Sequence, residues 1–105
     1  MGFKQNLERL LPIGDVEKIV LTSRKEIVGE IPNAEGKRGS LQVYLNLLNF
    51  QSGEVTPEMA NSGIELFAEY SDEARGNPSS HPNIQRLFAI QRGTPLYADI
   101  VYSGS

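Results

Sequence analysis

No charged residue occurs between Ser40 and Gly53, in the middle of a chain of 105 residues. Apolar residues recur through this stretch at helical spacing and predict a helix from Leu41 to about Gln51, with Ser40 as its N-cap. Its polar side chains form one narrow stripe with the spacing i, i+4 and i+7, made of Gln42, Asn46 and Asn49. A helix that is apolar around the rest of its circumference must be covered, either by its own chain or by a partner.

The two ways of covering this helix lead to different functions. In the first, the helix is central and lies between the sheet and neighbouring helices. In the second, one side of the helix faces outwards, as is usual in a small domain, and another molecule docks on that side. We take the second as the leading hypothesis and expect a non-enzymatic binding or accessory domain that self-associates or docks a protein partner through this helix.

The flanking segments predict an α+β fold. Segments rich in β-branched residues at 16–22 and 26–31 surround a polar turn and predict a hairpin, and a last strand follows at 96–102. We expect a three-stranded, mostly antiparallel sheet with the first strand in its centre and about four helices packed on one face. Gly29 and Pro32 weaken the second strand, which is typical of an edge.

Two more helices are predicted before the histidine of the chain. The first begins near Phe3 and is stopped by Pro12, because proline cannot continue a helix. The second begins at Pro57, with Thr56 as its cap, and runs on to Gly76.

Composition excludes several classes of function. The chain has no cysteine, which rules out disulfides, thiolate metal sites and cysteine nucleophiles, so a reducing cytoplasm is the expected compartment. A net charge of −3 with interspersed signs argues against nucleic-acid binding. No apolar run is long enough for a membrane span, and the N-terminus lacks the apolar core of a signal peptide. We expect one domain over residues 1–105, with no metal, cofactor or catalytic residue.

The only histidine of the chain, His81, lies between two proline-containing segments, and Pro82 suits the first turn of a helix. This places His81 at the N-cap, where it can act as a base or as a donor to an anion. The residues that could complete such a small-molecule or anion site are Asn83, Arg86 and Asp72, with Glu69 as an alternative to Asp72. The simpler interpretation, which we favour, is that His81 caps backbone groups and that Arg86 forms a salt bridge to Asp72 or Glu73.

A second candidate site precedes the central helix. Basic side chains and flexible backbone come together at Lys37, Arg38, Gly39 and Ser40, which resembles an anion cradle. The spacing matches neither a phosphate-binding P-loop nor the dinucleotide fingerprint. A solvated loop with an ordinary serine cap is the simpler interpretation, and we favour it.

Several motifs along the chain resemble those of a known family. They are Gly39-Ser40-Leu41 with Val43-Tyr44, the run from Gly63 to Tyr70, the run from Asp72 to Arg75, and His81-Pro82-Asn83-Ile84 with Arg86-Leu87. As a set they resemble a small bacterial family of single-domain proteins of unknown function. The resemblance implies a compact cytosolic domain and supplies no catalytic residues. It also implies that Phe67 and Tyr70 stand where relatives carry tyrosine and histidine, which argues against a paired-histidine site.

Overall fold

The computed structural model describes residues 2–103, which form five helices and four strands. The helices are α1 (Phe3–Glu8), α2 (Arg38–Leu47), α3 (Pro57–Phe67), α4 (Glu69–Gly76) and α5 (Pro82–Gln91). The strands are β1 (Val16–Ser23), β2 (Glu26–Pro32), β3 (Gly53–Glu54) and β4 (Tyr97–Tyr102). The predicted α+β class is confirmed.

The four strands form one antiparallel sheet in the order β2-β1-β4-β3. β1 therefore lies between the hairpin partner β2 and the last strand, as predicted. The prediction of three strands was wrong, because β3 pairs with Ala98 and Tyr97 of β4. A strand of two residues is too short to produce an alternating pattern, so the sequence carried no signal for it.

One face of the sheet is buried and the other is open. Ile19 of β1 lies opposite Ile31 of β2 and Ile100 of β4, and all three side chains are buried. On the opposite face, Val20 lies between two exposed acidic residues of the neighbouring strands. This alternation is the period-two pattern of a sheet that contacts the core on one side.

The charge-free segment is covered by its own chain. Its apolar residues in α2 are buried in the main core cluster: Leu41, Val43, Tyr44 and Leu45. Two of the three residues in the polar stripe are also bound by the chain, whereas Asn49 is exposed. Gln42 donates to the carbonyls of Leu7, Leu10 and Leu11 at 3.2, 3.4 and 3.1 Å. Asn46 donates to the Leu11 carbonyl and accepts from the Leu11 N–H, each at 3.0 Å. The leading hypothesis required an open apolar surface on α2, and the structure does not provide that surface.

Several predicted helix ends were wrong by a turn or less. α2 begins at Arg38 with Lys37 as its N-cap, so Ser40 lies inside the helix rather than at its cap. α1 ends at Glu8 and not just before Pro12, because Gln42 and Asn46 supply hydrogen bonds that replace those of another helical turn. The Thr56 cap is confirmed, since its hydroxyl accepts from the Met59 N–H at 3.2 Å.

The single helix predicted from Pro57 to Gly76 is two helices. The chain turns at Ala68, where φ is 52° and ψ is −118°. The Ser71 hydroxyl donates to the Ile64 carbonyl at 2.6 Å, which satisfies a backbone acceptor near the end of α3. Alanine is the strongest helix former, so its local preference gave no sign of this break.

Candidate functional site

A cleft of about 580 Å³ opens between the first turns of α2 and α5. Six of the eight residues predicted for two separate sites line this one cleft: Lys37, Arg38, Gly39, Ser40, His81 and Asn83. The volume lies in the range of small-molecule pockets, which are about 300–1,000 Å³. The fold thus brings the two candidate segments, which are about forty residues apart, to opposite sides of one space.

Aromatic rings form one wall of the cleft. Phe3 of α1 stacks on Phe67 at the end of α3, with ring centroids 5.4 Å apart and an interplanar angle of 10°. Tyr70 of α4 meets the same Phe3 ring edge-on at 5.2 Å, and His81 follows at 5.4 Å from Tyr70. The four rings make a continuous row along the cleft, in the offset and edge arrangements that aromatic side chains prefer.

The turn at Ala68 positions this wall. It separates α3 from α4, so that Phe67 and Tyr70 both reach Phe3 although they lie on different helices. Phe3 also approaches α2 closely, because a Cβ at Gly39 would lie 2.9 Å from its ring. Glycine at position 39 therefore allows α1 to close one end of the cleft.

His81 stands at the N-cap position of α5, as predicted, but its side chain caps no backbone group. Its backbone is left-handed, with φ 48° and ψ 64°, a conformation that is uncommon outside glycine and asparagine. Its Nε2 atom lies 3.0 Å from Oε1 of Glu73 on α4. The Glu73 carboxylate thereby orients the imidazole ring. From the sequence, Glu73 or Asp72 had been expected to pair with Arg86 instead.

Arg86 is turned away from the cleft and towards the sheet. Its guanidinium donates to Asn83 Oδ1 at 2.8 Å and to the Val28 carbonyl at 3.2 Å. The expected salt bridge to Asp72 or Glu73 is therefore absent among residues 2–103. Asp72 also lies outside the cleft and is paired with Arg75 at 2.9 Å.

The Val28 carbonyl needs this donor because it belongs to a β-bulge. Leu21 pairs with Gly29 and Thr22 with Ile27, so that Val28 is an extra residue in the ladder. The guanidinium lies over Gly29, where any Cβ would collide with Nη2 of Arg86. Arg86 thus connects α5 to the edge of the sheet, which is a structural role.

Asn83 is held from two sides behind the cleft. Its side chain accepts from Arg86, and its carbonyl accepts from the buried hydroxyl of Tyr44. Burial raises the pKa of Tyr44 above its ordinary value, and the nearby charge of Arg86 lowers it by a smaller amount. The hydroxyl therefore remains protonated and keeps donating.

The rim of the cleft formed by residues 35–38 is rich in charge. Arg38 donates to the Asn33 side chain at 2.8 Å, which fixes the loop before α2. Lys37 has no side-chain hydrogen bond or ion pair within residues 2–103, and it lines the cleft together with Glu35. Lys37 is thus a cation at the cleft that the described part of the chain does not neutralise.

A second pocket of the described surface, of about 530 Å³, does not combine these features. It is lined mainly by polar and small residues around the Ala68 turn. Within residues 2–103, no group of histidine, aspartate and glutamate side chains has the arrangement of a metal site, and no helix is long and apolar enough to cross a bilayer.

The aromatic wall of the cleft was not predicted from the sequence. Phe3, Leu7 and Phe67 lie in apolar helical patterns, and nothing in their helical spacing distinguishes a cleft wall from a core contact. The partnership of Glu73 with His81 was also missed. The only indication of this partnership in the sequence was that the segments carrying Glu73 and His81 are joined by a short loop.

The N-terminus of α1 is tied to the cleft wall by Glu69. The pKa of Glu69 lies below its ordinary value of 4.5 because its carboxylate accepts from the Phe3 N–H, at 2.9 Å, and from its own backbone N–H. A carboxylate with a lowered pKa in the folded state stabilises above its unfolded-state pKa, and this contribution is lost as the pH falls through the folded-state value.

We therefore expect Glu69→Gln to reduce stability at pH 7 and to make little difference well below pH 4.5, where the wild-type carboxylate is also protonated. Denaturant unfolding of both proteins across this pH range measures the difference. Glu65→Gln, an exposed change one turn earlier, is the control and should show no such pH dependence. A Glu69→Gln effect of equal size at both ends of the range would contradict the assignment.

Fold and cleft together define a small α+β protein in which two helix starts, an aromatic row and an unneutralised lysine surround one ligand-sized space. A family model matches residues 3–99, nearly the whole chain, and its description is "Uncharacterized protein conserved in bacteria (DUF2322)". The chain belongs to this family. Comparison with curated proteins and with solved structures gave no match.

Proposed function

We propose that this protein binds a small organic molecule in the cleft between α2 and α5. The observation that carries the proposal is the convergence of both candidate segments, 37–40 and 81–83, on one space of about 580 Å³ with an aromatic wall. A concave, largely apolar site with a few polar groups is the usual form of a small-molecule site. We place the protein in the cytoplasm, because a chain without cysteine gains no disulfide from an oxidising compartment.

Single tryptophans can test this proposal because the chain contains none. Tyr70→Trp puts a fluorophore in the cleft wall, and Tyr102→Trp puts one on β4, on the exposed part of the sheet. We expect that metabolites which raise the melting temperature of the wild-type protein will change the Tyr70→Trp emission saturably. They should leave the emission of Tyr102→Trp unchanged. A library that stabilises the protein without ever affecting Tyr70→Trp would overturn the proposal.

The second candidate function is self-association, through the sheet rather than through α2. β2 is an outer strand of the sheet, and Ile27 on it is 69% exposed, more than any other large apolar residue in the described part of the chain. The charges of this edge suit a second copy of the chain. A two-fold axis at Ile27 would bring Arg24 opposite Glu30 of the partner subunit. The bulge at Val28 interrupts this edge, so we expect the association to be weak.

Charge reversal tests self-association directly. In sedimentation experiments at high protein concentration, Arg24→Glu and Glu30→Arg should each weaken association, and the two changes together should restore it. A wild-type protein that stays monomeric throughout, or a double variant that remains as weak as the single variants, would contradict this second candidate.

A further inference from the structure

Resting on the proposed binding function, we infer that the cleft takes a small aromatic acid. Its ring would lie against the row of aromatic side chains, and its carboxylate would reach Lys37. The cavity, the aromatic wall and the charge of the rim together support this inference.

The wall favours a flat, unsaturated ligand. Phe3 is half-buried and Tyr70 is exposed, so their rings still present surface to the cleft. An aromatic ligand can extend the row by offset stacking or edge contact, which strengthens binding about two- to tenfold beyond the burial of area. A saturated ring of similar size gains only the free energy of burying its apolar surface.

The rim favours a negative charge. Lys37 and Arg38 both line the cleft, and Glu35 is the acidic residue beside them. Arg38 is already engaged by Asn33, whereas the Lys37 side chain has no hydrogen bond or ion pair among the described residues. The positive charge that His81 can carry is already faced by Glu73. Lys37 is therefore the group whose charge remains for a ligand, and a carboxylate on the ligand complements it.

Four simple probes separate the parts of this inference. Phenylacetate has the ring and the charge, phenylacetamide has the ring without the charge, cyclohexylacetate has the charge without aromaticity, and inorganic phosphate has only the charge. We expect phenylacetate to shift the amide resonances of residues 36–40, His81, Asn83 and Ile84 in an NMR titration. Phenylacetamide and phosphate should each bind at least tenfold more weakly, and cyclohexylacetate about two- to tenfold more weakly.

A matched pair of lysine variants tests the contact itself. Lys37→Gln should weaken phenylacetate at least tenfold, whereas Lys25→Gln, on the exposed hairpin turn, should change it less than twofold. Equal binding of phenylacetate and cyclohexylacetate would overturn the aromatic requirement, and equal effects of the two lysine changes would overturn the role of Lys37. The absence of any phenylacetate shift at these residues would overturn the inference as a whole.

Two different outcomes distinguish a wrong aromatic-acid assignment from a wrong binding function. If neutral or saturated metabolites are the compounds that change the Tyr70→Trp emission, the cleft is a binding site and the aromatic-acid assignment is wrong. If no compound changes that emission, the binding function itself is wrong.

Discussion

Replacing Leu87 with alanine is expected to lower the free energy of unfolding by about 2–5 kcal/mol, the usual cost of truncating a buried leucine. Leu87 is fully buried on α5, where it faces α3. Its Cδ1 atom lies 2.8 Å from the position that a Cβ on Gly63 would occupy. Denaturant unfolding measures the loss, and a change below about 1 kcal/mol would contradict this placement.

The same contact predicts that the effect of Gly63→Ala depends on Leu87. In the wild-type protein, Gly63→Ala places a methyl group against Leu87 and against Leu47, at 2.8 and 2.9 Å, so overpacking should exceed the gain of about 1 kcal/mol in helix propensity. In the Leu87→Ala background only the contact with Leu47 remains, so Gly63→Ala should cost less than it does in the wild-type protein. The double-mutant cycle should show a coupling of about 0.5–3 kcal/mol.

Leu96→Ala provides the control for this cycle. Leu96 is also buried, but it precedes β4 and is not among the atoms near Gly63. Its truncation should destabilise the protein without changing the effect of Gly63→Ala. Equal coupling in both backgrounds would show that the effect of Gly63→Ala does not arise from its contact with Leu87.

The second large effect is expected at Gly29, where alanine should cost about 1–3 kcal/mol by displacing the Arg86 guanidinium from the Val28 carbonyl. The backbone at Gly29 is not left-handed, so alanine itself fits the strand. In an Arg86→Ala background, Gly29→Ala should therefore be neutral or stabilising by about 0.5–1 kcal/mol, because alanine loses less backbone freedom on folding.

Gly53→Ala is the matched control for Gly29→Ala. Gly53 also lies in a strand, but a Cβ there would meet no atom within 4 Å. It should show no dependence on Arg86. If Gly29→Ala is equally costly with and without Arg86, the link between α5 and the bulge does not account for the glycine.

Much of the fold was predictable because local signals and tertiary contacts agree. The hairpin, the central position of β1, the Thr56 cap and the start of α5 at Pro82 were all read correctly from the sequence. Each depends on residue types whose preference acts within a few positions: β-branched alternation, a hydroxyl cap and a proline in a first turn.

The errors occur where a distant side chain replaces a local hydrogen bond. α1 ends early because Gln42 and Asn46 take its last carbonyls, and the helix beginning at Pro57 breaks at Ala68 next to the Ser71 hydroxyl bond. The same explanation applies to the candidate site. Local preference placed His81 at a helix start, but it could not show that Glu73, rather than a backbone group, would hold its ring.

The sequence by itself determined the α+β class, the position of three of the four strands and the need to cover a charge-free segment. Those properties follow from periodicity and charge, which are readable along the chain. Only the tertiary structure decided that the chain covers α2 itself, that Arg86 serves the sheet, and that 37–40 and 81–83 share a cleft with the Phe3 wall. The physical reason is that these outcomes depend on contacts between residues far apart in the sequence, which no local preference specifies.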